Sequence, residues 1–558
     1  MAAALRHALE NKALKPWLKL CQPTMAWLAI VGMAVVFAPI LPGLIWALMP
    51  GLSPSIWHAL WINGEWPQAL LATLISAGLS SLAALLLAGT IALRVYPEIS
   101  WSRLQHRLPL LLSVPHTAFA VGLFFLIAPS GWLARLIAQF AGWITPPEWV
   151  SVQDPFALSL ALALAIKESW FLLWVLGAVL GEQEVARQMV SARTLGYNRL
   201  QAWRLILIPQ LLPRLGWPMA AVFAYGLSVV DMAIILGPSN PPTLAVLVWH
   251  WLSDAAPLTQ ALGSAAAIAM FFILLLIVAI SRILWRLSCK VAWLPSGKRA
   301  AFNPSRPSKA TPSWTWRLLA LTGYLVLATL LLWSVAGSWF FPALWPGSLS
   351  LESWLQANFT PFANSLWLGM VACLIALPIA LLWLEWGPKR FNAILYAPLI
   401  IPALPLVVGQ YAALLHSGLD GTACGLAWSH LLWVLPYMLL TLIGPYRAFD
   451  SRLLSTAQAL GRTRLQACLY IKWPMLLRPL LAAFAIGFSV SIAQYLPTLF
   501  AGAGRFATVT TEAVALSAGG NRRVLAVQAV LQVVLPLTAF ALTVWLGHWA
   551  GKYRRGLR

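Results

Sequence analysis

The sequence predicts an all-α polytopic membrane protein with about 12 transmembrane helices in two homologous six-helix halves. Three observations carry that prediction: the composition, a series of unbroken apolar runs, and an internal repeat. Of 558 residues, 61% are hydrophobic and only 9% are charged. Soluble chains carry about 25% charged residues, so this one has too few to coat a water-facing surface. A β-barrel would alternate apolar and polar residues rather than run apolar for a full span.

The N-terminus is basic and polar through Lys19, then apolar from about Thr24 to Met49, too long for a signal-peptide core and read as a retained first helix. Apolar runs follow near 68–95, 108–128, 155–180, 215–237, 260–287, 316–341, 361–386, 393–416, 420–443, 476–500 and 525–549. Each is long enough for a helix to cross roughly 30 Å of hydrocarbon. Residues 133–143 form a shorter run that reads as an interfacial helix, with a re-entrant segment as the alternative. Tryptophans near span ends (Trp46, Trp57, Trp61, Trp66, Trp345, Trp354) read as an interfacial belt.

Charge placement orients these spans. The loops on the side of the termini hold all of the 37 Lys and Arg except Arg135, Arg505, Arg522, Arg523 and Lys167. The bias places both termini in the cytoplasm. It also accounts for the formal net charge of +22 without nucleic acid as a partner. The longest polar stretch, rich in Pro, Ser and Lys, divides the chain into a first transmembrane domain (1–290), a linker (291–315) and a second domain (316–558).

The halves match at a fixed offset of 265 residues. VSARTLGYNRLQAWRLILIPQLLPRL (190–215) lies over STAQALGRTRLQACLYIKWPMLLRPL (455–480), and Thr243 lies over Thr508. Ala192 thus meets Ala457, Gly196 meets Gly461 and Pro209 meets Pro474. Upstream, Pro115-x6-Gly122 parallels Pro402-x6-Gly409. Each repeated loop follows the fourth span of its half on the cytoplasmic side. Its pattern is a helix-forming stretch, a glycine, a second amphipathic stretch and a proline. Glycine permits the positive φ of a sharp turn, and proline suits the first turn of the next helix. Two equivalent knobs facing the cytoplasm imply two equivalent sockets on a partner.

SARTLG-x12-P and TAQALG-x12-P resemble the EAA loop of binding-protein-dependent ABC importer permeases. The resemblance covers nearly the whole chain as two fused permease domains and is closest to the thiamine and ferric-iron type. It implies the type I importer permease fold, residence in the bacterial inner membrane and contact with membrane lipid. It also implies a cytoplasmic ATPase dimer and a periplasmic substrate-binding protein as partners. Ala192, Gly196, Pro209, Ala457, Gly461 and Pro474 would then belong to the ATPase-coupling loops. The sequence departs from the pattern at the family's glutamate, where Val190 and Ser455 stand.

No catalytic machinery, cofactor or metal site is expected. Neither Gly297–Lys298 nor Gly551–Lys552 completes a GxxxxGK[ST] loop, and no cytoplasmic segment exceeds about 40 residues, too small for a nucleotide-hydrolysing domain. The five cysteines contain no CxxC pair, and the eight histidines are dispersed. A secondary transporter of two six-helix repeats is the alternative. The loop between the second and third spans, RVYPEISWSRLQHRLP, lacks the glycine–aspartate–arginine signature of major-facilitator chains. Intramembrane polar residues point to a pathway. Lys167 and Glu168 sit inside the fourth span, while Ser228, Asp231, Ser491 and Gln494 form small-polar-x-x-polar steps that the resemblance places at the translocation interface.

Overall fold

The computed structural model describes residues 14–290, 314–391 and 395–552. Nearly all of the linker 291–315 lies outside them, so its reading is neither met nor contradicted. Among the described residues the elements are helices and short helical turns, with only two isolated β-bridges.

Among the described residues ten helices are long and apolar enough to cross a membrane, and an eleventh span is made by Arg464–Met475 and Leu477–Ile492 if that bent pair counts as one. The remaining apolar run, near 393–416, holds a helix of 15 residues, Ala403–Ser417. Prolines explain its shortness: Pro398 sits in a 3-10 turn over Ala397–Leu399 and Pro402 caps the helix start. A proline supplies no N–H and disfavours helix in the residue before it, so the span begins late. Trp132–Ala141 is the helix expected near 133–143. It exposes Leu133, Leu136, Ile137 and Phe140 while burying Ala134, Arg135 and Ala138. Trp66, read as part of the belt, is instead buried.

The 265-residue repeat recurs in the backbone. Leu158–Leu180 begins 265 residues before Ala423–Ala448. Arg199–Ala202 maps onto Arg464–Ala467, the π-turn Trp203–Leu207 onto Cys468–Lys472, and Leu244–Leu252 onto Val509–Ser517. A fifth span broken near its end recurs too: Ile208–Ser228 then Asp231–Leu236, and Leu477–Ile492 then Leu496–Gly502.

Within each half the second span packs on the fourth, Glu65–Val95 on Leu158–Leu180 and Thr360–Trp386 on Ala423–Ala448. The first span of each half crosses to the other. Leu14–Phe37 packs on Thr360–Trp386, Ile40–Leu48 on Ala403–Ser417, and Trp314–Ser334 on His116–Ile127. The paired Pro-x6-Gly pattern acquires a physical reason here. A Cβ on Gly122 would lie 2.8 Å from the carbonyl oxygen of Val326, and one on Gly409 would lie 3.0 Å from the amide of Leu44. Each glycine therefore lets the other half's first span approach at backbone distance, a use of small residues common to membrane helix crossings.

Candidate functional site

Both repeated loops are built the same way. In the first, Gln183–Thr194 ends at Gly196, which has φ +83°; in the second, Ser451–Ala459 ends at Gly461, with φ +85°. The Tyr197 amide donates to the Ala192 carbonyl at 3.0 Å, and the Arg462 amide to the Ala457 carbonyl at 3.0 Å. This is the left-handed glycine ending that satisfies a helix's last carbonyls. Ala192 and Ala457 are buried beneath the turns.

The next helix opens with a reciprocal cap in each copy. The Asn198 side chain accepts from the Gln201 amide at 2.8 Å while Gln201 accepts from the Asn198 amide; Thr463 and Gln466 repeat the arrangement. Such a cap satisfies two N–H groups that a helix start leaves open. The tips stay apolar and exposed: Leu195 is 71% and Leu460 73% exposed, each immediately before its glycine.

Pro209 and Pro474 lie two residues past the π-turns, second in the helices that follow. The expectation that the proline begins a separate membrane helix needs refining. In the first half Arg199–Ser228 runs on as one helix through the π-turn, whereas in the second the chain bends by 78° between Met475 and Leu477. The π-turns fit here because they widen the ladder just where a proline has no N–H to donate.

Sequence reasoning missed what fastens the loops to the bundle. Arg199 donates to Glu98 at 2.8 Å and to the Tyr96 carbonyl at 2.6 Å, both just beyond the second span. Its repeat partner Arg464 donates to the Glu385 carboxylate at 2.9 Å and to the Glu385 carbonyl at 3.0 Å, at the equivalent end of the second half. Lys472 adds a third contact to Glu385, at 2.7 Å. The signal was present, since RLQA stands at 199–202 and again at 464–467. The remote carboxylates carried none.

At Val190 and Ser455, where the resemblance places an acid, the side chains are exposed on the loop helices. Asp450 caps the second loop's helix, accepting from the Arg452 amide at 2.9 Å.

The candidate pathway residues separate into two groups. Ser228 ends the long part of the first broken span and Asp231 opens the short part. Asp231 accepts a hydrogen bond from Thr117, beside His116, whose ring lies 4.8 Å from that of Tyr225. Ser228 Oγ accepts from the Ala403 amide at 3.1 Å, which joins the first half's break to the start of the second half's short span. In the second half, Ser491 pairs with buried His430 at 2.8 Å, whose other ring nitrogen lies 3.0 Å from Thr498. Gln494 is half-buried in the second break. The structure does not bring Asp231 and Gln494 into one hydrogen-bonded cluster. Lys167 and Glu168 turn to different partners as well: Lys167 donates to the Val114 carbonyl at 2.6 Å, and Glu168 faces His116 at 3.4 Å.

Between the halves, on the side opposite the repeated loops, lies a cavity of about 610 Å³. Trp46, Trp249 and Asp254 from the first half and Tyr411, His416 and Phe500 from the second line it. Trp46 stacks on His416 at 3.9 Å, and Trp249 touches Tyr495 of the second break edge-on at 6.5 Å. Among the described residues, no group of three or more His, Cys, Asp or Glu side chains could hold a metal ion.

No protein-family model and no solved structure matches the chain. Among curated proteins it is 42% identical to the inner membrane ABC transporter permease protein YnjC of Escherichia coli (strain K12), over 525 residues that cover 94% of this chain and 97% of that protein. With that identity along nearly the full length, and a bundle of membrane-spanning helices to match, the chain belongs to the inner-membrane ABC transporter permeases.

Proposed function

We propose that this single chain supplies both transmembrane halves of an importer, 1–290 and 316–558 joined by the linker 291–315. An ABC permease is a transport subunit that works with an ATPase. In this reading the ATPase is a cytoplasmic dimer, and the loops around Gly196 and Gly461 are its two coupling elements of EAA type. Both termini face the cytoplasm, and a periplasmic substrate-binding protein delivers substrate to the opposite face.

One observation carries the reading: two loops 265 residues apart share the same positive-φ glycine, the same reciprocal cap and the same arginine anchor, and each presents an exposed leucine. A lone loop of this kind could rest on lipid headgroups. A duplicated one with the same turn, cap and anchor fits a two-fold partner.

For the pathway, Ser228, Asp231, Ser491 and Gln494 sit at or beside the two helix breaks. Broken helices at a repeat interface are where membrane transporters expose backbone groups to their cargo. We place the route between these breaks and the aromatic cavity beyond them. Co-expression with a candidate cytoplasmic ABC ATPase, followed by purification through the permease, tests the proposal. The complex should form and lose its ATPase when both glycines are changed to aspartate. Unaltered assembly of the double variant would remove these loops from the coupling role.

A further inference from the structure

The bundle end opposite the repeated loops holds a second cavity, of about 460 Å³, walled by both halves. Ser130 and Arg135 come from the first, and Trp339, Phe340, Arg522 and Arg523 from the second. Three of the four basic residues assigned to this side of the membrane converge here. Among the described residues, none of the three forms an ion pair with a carboxylate.

Their polar contacts are neutral. Arg135, 2% exposed, donates to the carbonyls of Ser130 at 3.0 Å and of Phe340 and Ala343 at 2.8 Å, and packs 4.7 Å from the centre of the Trp339 ring. Arg522 donates to the Ser130 hydroxyl at 2.7 Å, and Arg523 to the Gly337 carbonyl at 3.3 Å. Carbonyl dipoles orient a guanidinium but carry no net charge. Three positive charges therefore share one cavity without a carboxylate to balance them, at greatest cost for the buried Arg135. The start of the 31-residue helix Arg522–Lys552 adds its positive dipole end to the same space.

The surroundings select the anion. Phe340 on the rim is 80% exposed. The neighbouring helix Trp132–Ala141, joined to this segment by a 3.0 Å bond from Gln139 to the Pro342 carbonyl, exposes Phe140 at 86%. A soluble anion has no use for that apolar margin, while a lipid has both parts. We propose that this cavity binds the phosphodiester headgroup of an anionic phospholipid, with its acyl chains lying along Phe340 and the apolar face of Trp132–Ala141. The lipid then serves as the missing counter-charge and clamps the two halves at this end, since its arginine ligands come from both.

The test is lipid retention by the purified, delipidated full chain, followed by native mass spectrometry. Dioleoylphosphatidylglycerol should bind saturably and dioleoylphosphatidylcholine should not. Affinity should fall about tenfold or more in R522Q/R523Q and recover in R522K/R523K, which keeps the charge. R523Q alone, which loses only a long bond to a carbonyl, should give a smaller loss and guards against misfolding of the double variant. Equal retention by wild type and R522Q/R523Q, or equal binding of both lipids, would overturn the proposal. Binding of inorganic phosphate at the affinity of the anionic lipid would overturn it in favour of a soluble anion. Loss of receptor docking in R522Q/R523Q with lipid retention unchanged would overturn it in favour of an acidic protein contact.

Discussion

Changing Glu385 to glutamine should loosen the second loop far more than changing Glu98 loosens the first. Glu385 is 2% exposed at its side chain and bridges Lys472, 9% exposed, and Arg464, 39% exposed. Glutamine keeps an acceptor oxygen but removes the charge, so the buried Lys472 ammonium is left with only the Tyr446 and Phe449 rings, 4.2 and 5.5 Å away, to offset it electrostatically. Removing one member of a buried ion pair costs about 3–5 kcal/mol. Arg464 is partly solvated and the rings compensate in part, so about 3 kcal/mol is the expected loss. The Arg199–Glu98 pair is 19% and 36% exposed, where such pairs contribute about 0.5–1 kcal/mol. Hydrogen exchange separates the two, because amides protected by a local opening exchange faster in proportion to the lost free energy. Peptides covering 464–475 should exchange about a hundredfold faster in E385Q, and peptides covering 199–210 only a few-fold faster in E98Q. Equal acceleration at both sites, or none in E385Q, would refute the view that a buried carboxylate fastens the second loop.

Gly196→Asp and Gly461→Asp should each abolish transport while membrane insertion continues. Positive φ costs a side chain about 1–2 kcal/mol, and a charge desolvated in the socket adds several more; uptake assays with a membrane-fraction blot check both parts. The chain purified alone should neither bind nor hydrolyse ATP, as isothermal titration and phosphate release would show. Reporter fusions after Met49, Pro238 and Pro346 should read periplasmic and those after Arg94, Gly297 and Gly551 cytoplasmic; the opposite reading at Pro238 breaks the six-plus-six topology. Asp154 caps Leu158–Leu180 through the Leu158 and Ser159 amides and the Ser159 hydroxyl. Burial opposes its ionisation, but these donors outweigh it and hold its carboxyl below the usual 3.8. Its contribution is therefore full above pH 3.8 and fades as the pH drops through the lower folded value. Asp154→Ala should lower thermal stability by about 1 kcal/mol at pH 7, and the gap to wild type should close on acidification below pH 3.8.

The loops were legible because their signals are local. Glycine, the Ala–Gly spacing and the RLQA pair all act within one or two helical turns, and the repeat displays them twice. The pairing of the halves was half-visible: Pro115-x6-Gly122 and Pro402-x6-Gly409 marked the positions, but only three dimensions showed that each glycine admits the other half's first span. Glu98 and Glu385 escaped notice because their partners lie 101 and 79 residues away. The central polar residues were found one at a time and their partners were not. Asp231 meets Thr117, and Ser491 meets His430, across helices whose facing sides hydropathy does not reveal. Hydropathy likewise took 393–416 for a full span, since it does not register how prolines 398 and 402 delay the helix.

The central claim is that one chain places two equivalent loops on two ATPase subunits. Leu195 and Leu460 stand at the two tips, 71% and 73% exposed, so photo-crosslinking residues there report the contact directly. Both positions should crosslink to the ATPase, in a complex whose native mass corresponds to one permease chain and two ATPase subunits. Crosslinks to lipid alone from either tip, or a complex with two permease chains, would contradict it.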